Sequence, residues 1–293
     1  MKAIKNDKIA EYPVKEEGEL LAFLLSVLPA GTRRNAKAIL KYRAVLVDGR
    51  VVTQFNHKLR RGQRVTVLPP MQGDILEGIL YEDDEIIVFN KPEGLLSIAT
   101  EKENTNTAYH LLNEHVKQIN AHNRIFIVHR LDRDTSGVLL AAKNERVKYL
   151  LQDNWANIVK TRGYRAIVEG KLKEQEGTLH SWLCETQTHL VYESTSPGKG
   201  LEAITDYQVM RESAVYSLLD IRLQTGRKNQ IRVQLSSLGH PVAGDKKYGA
   251  ATNPLRRLAL HAHLLELEHP VTGALLSFSA KTPSAFKRVF KQP

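Results

Sequence analysis

Asp132 and Asp134 stand two residues apart in the run His129-Arg130-Leu131-Asp132-Arg133-Asp134-Thr135-Ser136-Gly137. An ionised carboxylate can attack an electrophilic carbon or take a proton, and two of them can divide acid and base roles. For glycoside cleavage, however, such pairs need about 5 Å or more between carboxyl groups, which one tight loop gives only if it splays them. A plain turn is the competing reading, since Asp, Thr, Ser and Gly are all good turn formers. The flanks read as buried strands, Ile125-Phe126-Ile127-Val128 before and Val138-Leu139-Leu140-Ala141-Ala142 after. A charged loop held between core strands is where chemistry tends to sit.

Other reactive types are scattered. Tyr164 offers a flat apolar face and a hydroxyl, which suits stacking on a nucleobase and suits a core equally well. His261 and His263 alternate onto one face of a strand, but no third ligand or carboxylate partner is evident. The acidic run Glu82-Asp83-Asp84 reads as the side of a turn, so no metal is expected. Gly198-Lys199-Gly200 lacks the spacing and context of a phosphate-binding loop. The single cysteine, Cys184, forms no internal disulfide and no cysteine-based zinc site, in keeping with a reducing compartment.

Elements of an α+β fold must hold these residues. Ile86-Ile87-Val88-Phe89 predicts a strand ending in the turn Asn90-Lys91-Pro92-Glu93-Gly94, and Val147, Leu150, Leu151 and Trp155 recur at helical spacing. Tyr164 to Val168 reads as a strand, as do runs at 178–182, 203–207 and 216–220. Strands following strands with few crossover helices argue for a mixed, largely antiparallel sheet. Asn229 to Leu238 predicts a helix ended by Gly239, with Arg227 just before its positive end. A short closing helix is expected over Pro283 to Phe290.

The run from His129 to Gly137 resembles the motif HRLDxxTSG of the RluA family of pseudouridine synthases, and the likeness continues through Ala142-Lys143-Asn144. The Asn-Lys-Pro-x-Gly turn, the Tyr-x-Ala-x-Val-x-Gly pattern beginning at Tyr164 and the run Thr225 to Gln234 are similar to further family segments. The resemblance implies Asp132 as the catalytic residue, Arg130 as the arginine that helps displace the target base, and Tyr164 as the ring against the uracil. It implies Arg227 as the partner of Asp132, with Ile231 also at the substrate. Two family histidines are replaced by Asn229 and Gln234. No cofactor or metal is implied, and the aspartate could act as nucleophile at the anomeric carbon or as base at its neighbour.

Length and charge fit that picture. A chain of 293 residues predicts about two domains, and residues 1–72 carry 14 Lys+Arg against 6 Asp+Glu, hence +8 of a net +10. Leu20, Leu21, Leu24, Leu25 and Leu28 predict a helix stopped by Pro29-Ala30-Gly31, and Arg33-Arg34-Asn35-Ala36-Lys37 opens a second. A hairpin turning on Asp48-Gly49 and a strand at Arg64-Val65-Thr66-Val67 follow. This order resembles the S-four-like RNA-binding module, in which Arg33, Arg34 and Lys37 would face phosphates. Leu68-Pro69-Pro70-Met71-Gln72-Gly73 reads as a linker to a catalytic domain over 73–293.

Together these features predict an RNA pseudouridine synthase acting on large-subunit ribosomal RNA, with transfer RNA the other candidate substrate. A non-catalytic RNA-binding or ribosome-assembly factor on the same fold is the rival reading. The absence of a signal-like or membrane-spanning apolar run places the expectation at a soluble cytoplasmic protein, and a monomer is expected.

Overall fold

A computed structural model of the chain describes residues 10–28, 33–41, 45–67, 78–99 and 106–290. The chain divides into two compact units, Met1–Glu77 and Gly78–Pro293. The division falls five residues beyond the boundary expected after Gln72. The expected linker at 68–73 and the expected helix stop at 29–31 lie outside the described residues.

The first unit runs β1 (Ala10–Pro13), β2 (Gly18–Glu19), α1 (Leu20–Val27), α2 (Arg33–Lys41), β3 (Val45–Val47), β4 (Arg50–Val51), β5 (Lys58–Leu59) and β6 (Arg64–Val67). Leu20, Leu21 and Leu24 of α1 meet Ala36 and Leu40 of α2 and Val45, Val47 and Val65 of the strands in one core. Helical spacing on one side and strand alternation on the other therefore converge, as the apolar pattern requires. Asp48 and Gly49 take φ of +48° and +76°, the doubly left-handed turn that twists in the same sense as a hairpin. Arg33 and Lys37 are exposed one turn apart on α2, with Lys37 Nζ 5.9 Å from the centre of the Phe55 ring. Arg34 lies in the same helix, its side chain outside the described set.

The second unit runs β7 (Ile79–Glu82), β8 (Ile86–Lys91), α3 (Ala108–Ile119), β9 (Phe126–Ile127), β10 (Ser136–Ala142), α4 (Glu145–Asp153), α5 (Trp155–Ile158) and β11 (Val159–Glu169). It continues through β12 (Glu176–Glu185), β13 (Val191–Glu193), β14 (Leu201–Glu212), β15 (Tyr216–Leu223), α6 (Gln230–Ser237), β16 (Leu260–Glu268), β17 (Leu275–Ser279) and α7 (Ser284–Arg288). Eleven strands make one sheet, in the order β13-β12-β14-β15-β11-β16-β10-β8-β7, with β17 on β16 and β9 on β10. Between its named strands every pairing is antiparallel except β10 with β16. This is the expected α+β architecture with a mixed, largely antiparallel sheet.

Alternation along β8 and β10 builds a core on each face. Ile86, Val88, Val138 and Leu140 pack with Val147 and Leu151 of α4, whereas Ile87, Phe89, Leu139 and Ala141 pack with Leu112 and Val116 of α3. All seven residues of β10 are buried, as a strand covered on both faces must be. A third core gathers Ile231 and Leu235 of α6, Phe286 and Phe290 around α7, and Ala166, Leu219 and Ile221 of the sheet. Two elements differ from expectation. The strand before the charged loop shrinks to Phe126–Ile127, and the helix beginning at Glu145 breaks at Asn154. No described helix is long and apolar enough to cross a membrane.

Candidate active site

The loop carrying Asp132 is clamped through its backbone. Ser97 Oγ donates to Leu131 O at 2.8 Å and accepts from Leu131 N at 3.1 Å, and Gly94 N donates to Arg133 O at 2.9 Å. Lys91 is wholly buried. Its ammonium donates to the carbonyls of Pro92, Leu95 and Arg133 at 3.0, 2.8 and 3.1 Å, so three acceptors match its three donors. Burial brings its pKa down to about 7, against the pull of Asp134 and Asp132. Lys91 thus ties the Asn-Lys-Pro-x-Gly turn to the aspartate loop.

Beyond the loop, β10 enters the sheet beside β16, pairing Ser136 with His261 and Gly137 with Ala262. Gly137 has φ +116°, and a Cβ there would lie 1.9 Å from Ala262 O, so only glycine lets the two backbones approach. Arg257 Nη2 donates to Ser136 Oγ at 2.8 Å, and Ser136 Oγ lies 2.8 Å from His261 Nδ1. His261 Nε2 lies 3.2 Å from Ala280 O. A carbonyl can only accept, which assigns the proton to Nε2 and leaves Nδ1 to accept from Ser136. Burial pushes the His261 pKa down to about 4. His261 and His263, the pair of the metal reading, are both engaged structurally, His263 with Asp220 at 3.1 Å. Glu82 pairs with Lys143 and His115, and Asp83 accepts from the backbone of Glu85 and Ile86.

The cation facing Asp132 is Arg232, not the expected Arg227. Arg232 Nη1 lies 3.1 Å from Asp132 Oδ2, and Arg227 Nε instead donates to Glu202 O at 2.8 Å. The reason is where α6 begins. Arg227 precedes the helix, its N–H held by Gln230 Oε1, while Arg232 projects from the first turn, three residues after Asn229. Asp245 fixes the Arg232 guanidinium through a two-point pair, Nε to Oδ2 at 2.6 Å and Nη2 to Oδ1 at 2.8 Å. The side chains of Arg232 and Asp245 are 13% and 1% exposed, and that of Asp132 is 23% exposed. A buried two-point pair sets the fork, and the partly exposed Asp132 takes its remaining edge. Asp132 Oδ1 has no hydrogen-bond partner among the described residues.

Both departures from the family pattern have places here. Asn229 takes φ +56° at the start of α6, a left-handed position that asparagine tolerates well. Its Oδ1 accepts from Arg232 Nη1 at 3.0 Å and its Nδ2 donates to Tyr248 OH at 2.9 Å. Gln234 is buried; it accepts from Thr205 Oγ1 and donates to Ser181 Oγ and Ala203 O.

One cleft brings together Arg130, Asp132, Tyr164, Arg227, Ile231 and Arg232. The five residues named from sequence are therefore neighbours. Tyr164 sits mid-strand, paired across β11 to Ile221 and Ala262. Burial pushes its pKa up to about 12, so it presents a neutral hydroxyl. Arg130 is exposed. Sequence reading passed over Arg232, Asp245 and Lys91. All three lie inside segments that looked familiar, but thirteen and one hundred residues separate Arg232 from its two partners, and nothing local announces those pairs.

Residues 85–237 match the family described as RNA pseudouridylate synthase. The uncharacterized RNA pseudouridine synthase YhcT of Bacillus subtilis (strain 168) is 33% identical over 290 residues, spanning 94% of this chain and 93% of that protein. The chain belongs to the RluA family of RNA pseudouridine synthases. It is 30% identical to ribosomal large subunit pseudouridine synthase D of Haemophilus influenzae, over 94% of this chain and 92% of the relative. The solved human RNA pseudouridylate synthase domain containing 4 shares the fold, with TM-score 0.62, 24% identity, 75% of this chain covered and 96% of the other. As an RNA pseudouridine synthase the protein is an isomerase acting on RNA: the bond from sugar to uracil nitrogen is exchanged for one to carbon. In this pseudouridine synthase the cleft offers an acidic group, a fixed guanidinium and an aromatic ring.

Proposed function

We propose that Asp132 is the catalytic carboxylate and that large-subunit ribosomal RNA is the substrate. The observation carrying the catalytic part is the Asp132–Arg232 pair at 3.1 Å beside Tyr164. The guanidinium, itself fixed by Asp245, holds the carboxylate in one orientation in the cleft, and both nucleophilic and basic routes need a positioned carboxylate. The oxygen without a partner, Oδ1, faces no competing donor among the described residues. Tyr164 lies against the uracil, and Ile231 and Arg227 complete the pocket. Arg130 occupies the place the base vacates, offsetting an unstacking cost of a few kcal/mol.

Support for the ribosomal substrate comes from relatives named as large-subunit synthases and from the +8 carried by residues 1–72. That first unit, with its two helices and hairpin, acts as an S-four-like docking module through Arg33, Arg34 and Lys37 on α2. The protein works as a cytoplasmic monomer. Replacing Asp132 by Asn should drop pseudouridine formation below about a hundredth of wild type while RNA binding persists, because an amide is neither nucleophile nor base. Activity above that level would remove Asp132 from its role. Mapping pseudouridines in RNA from cells lacking the protein separates ribosomal from transfer RNA, and loss confined to transfer RNA would overturn the ribosomal reading.

A further inference from the structure

An open groove of about 460 Å³ lies outside the catalytic cleft, and Tyr216, Pro254, Leu255, Arg256, Arg288 and Val289 line it. Its walls follow from local structure. Along α7 and the two residues that follow it, Ala285, Arg288 and Val289 line the groove, whereas Phe286 and Phe290 turn into the core. The opposite wall is the segment before β16, held where Arg256 N donates to Asn253 O at 3.2 Å. Both Arg256 and Arg288 are exposed, and neither has an ion-pair partner among the described residues. Arg256 takes φ +56°, a conformation that glycine or asparagine adopts at lower cost and that arginine rarely does. The next residue, Arg257, donates to Asp134 O and Ser136 Oγ. The rim of the groove is therefore one peptide away from a residue that touches the catalytic loop.

We propose that this groove binds one nucleotide of the substrate RNA flanking the loop that carries the modified uridine, its phosphate between Arg256 and Arg288 and its base on the apolar face of Tyr216, Pro254 and Leu255. The proposal rests on the reading of the protein as an RNA pseudouridine synthase. Several features support it. The volume falls within the roughly 300–1,000 Å³ of small-ligand sites. Two guanidinium groups without ion-pair partners match a phosphodiester, and a ring with a proline beside it makes a stacking surface indifferent to base identity. The strained backbone at Arg256 is accounted for by a side chain that has to reach the ligand.

The test is RNA binding and turnover by the full chain carrying Arg256→Gln and Arg288→Gln, against Lys281→Gln and Lys287→Gln, which alter two exposed lysines outside the groove lining. Anisotropy titrations of a long RNA across a range of salt should show the slope of log affinity against log salt flattened by about 0.7, the change for one single-strand phosphate no longer neutralised. On that RNA, KM should rise several-fold with kcat unchanged, and a short RNA holding only the target loop should be handled as by wild type. The lysine control should match wild type throughout. A salt slope equal to that of the control would overturn the site, and an equal loss on long and short RNA would overturn its flanking position. Because binding is read without turnover, an active Asp132→Asn variant would sink the catalytic assignment and leave this result standing.

Discussion

Asp132 and Arg232 share one edge-on contact, while Asp245 holds the rest of the guanidinium. That division makes the two arginines of the cleft separable by experiment. Arg232→Met strands the buried Asp245 carboxylate, and losing one partner of a buried pair costs about 3–5 kcal/mol, so its Tm and its activity should both fall. Arg232→Lys should stay inactive, because a point charge cannot serve Asp245 at two points and Asp132 at once. Arg227→Met gives up a bond to a backbone carbonyl and should leave Tm nearly unchanged. Thermal denaturation of the three variants, with a pseudouridine assay on each, checks this ranking. Equal destabilisation by the Arg227 and Arg232 changes would contradict it. Asp134→Asn, which touches no member of the Arg232 network, should be mild beside Asp132→Asn.

Strand β10 is where the sheet changes sense, and its first two residues carry the constraint. Gly137→Ala puts a Cβ against the Ala262 backbone and demands a φ that alanine resists, so it should cost well over about 1 kcal/mol and displace Asp132, lowering kcat. Gly94→Ala supplies the comparison, since its φ is +77° but no atom lies within 4 Å of the added carbon. It should cost about 1 kcal/mol from conformation alone. Comparable denaturation midpoints for the two would show that β10 can move away from β16. The same junction holds His261, whose pKa is pushed down to about 4 from 6.5. Between those values the unfolded chain binds a proton that the folded chain refuses, so stability falls as pH drops through that window. His261→Asn should flatten the decline of Tm from pH 7 to pH 4, and an unchanged decline would mean that the imidazole accepts its proton in place.

At the scale of the whole molecule, charge and chemistry lie in different units. Residues 1–72 hold +8 of the net +10, and the cleft residues all lie beyond Gly78. A protein lacking residues 1–72, shown by circular dichroism to be folded, should still modify a short target RNA at low salt. It should bind the long substrate weakly and with a shallower salt dependence, by about 0.7–0.9 for each phosphate that the first unit would have neutralised. Full affinity and an unchanged slope after the deletion would assign the basic unit another task.

Local pattern was enough to determine much of this protein. Leucine spacing in α1, the Asp48-Gly49 turn, the alternating run of β8 and the glycine at the end of α6 each depend on residues within a few positions, where backbone sterics and burial act directly. The gathering of Asp132, Tyr164, Arg227 and Ile231 into one cleft was legible because a shared motif carries a shared fold with it. The choice of Arg232 over Arg227 was not. Both are arginines at the start of one helix, and which of them faces Asp132 depends on the residue at which α6 begins and on a carboxylate thirteen positions later that captures the fork. The role of Gly137 likewise exists only once β16, more than a hundred residues on, lies beside it. Side-chain chemistry is written along the chain, whereas the partner each charge finds is decided by which distant segments the packed sheet brings within about 3 Å.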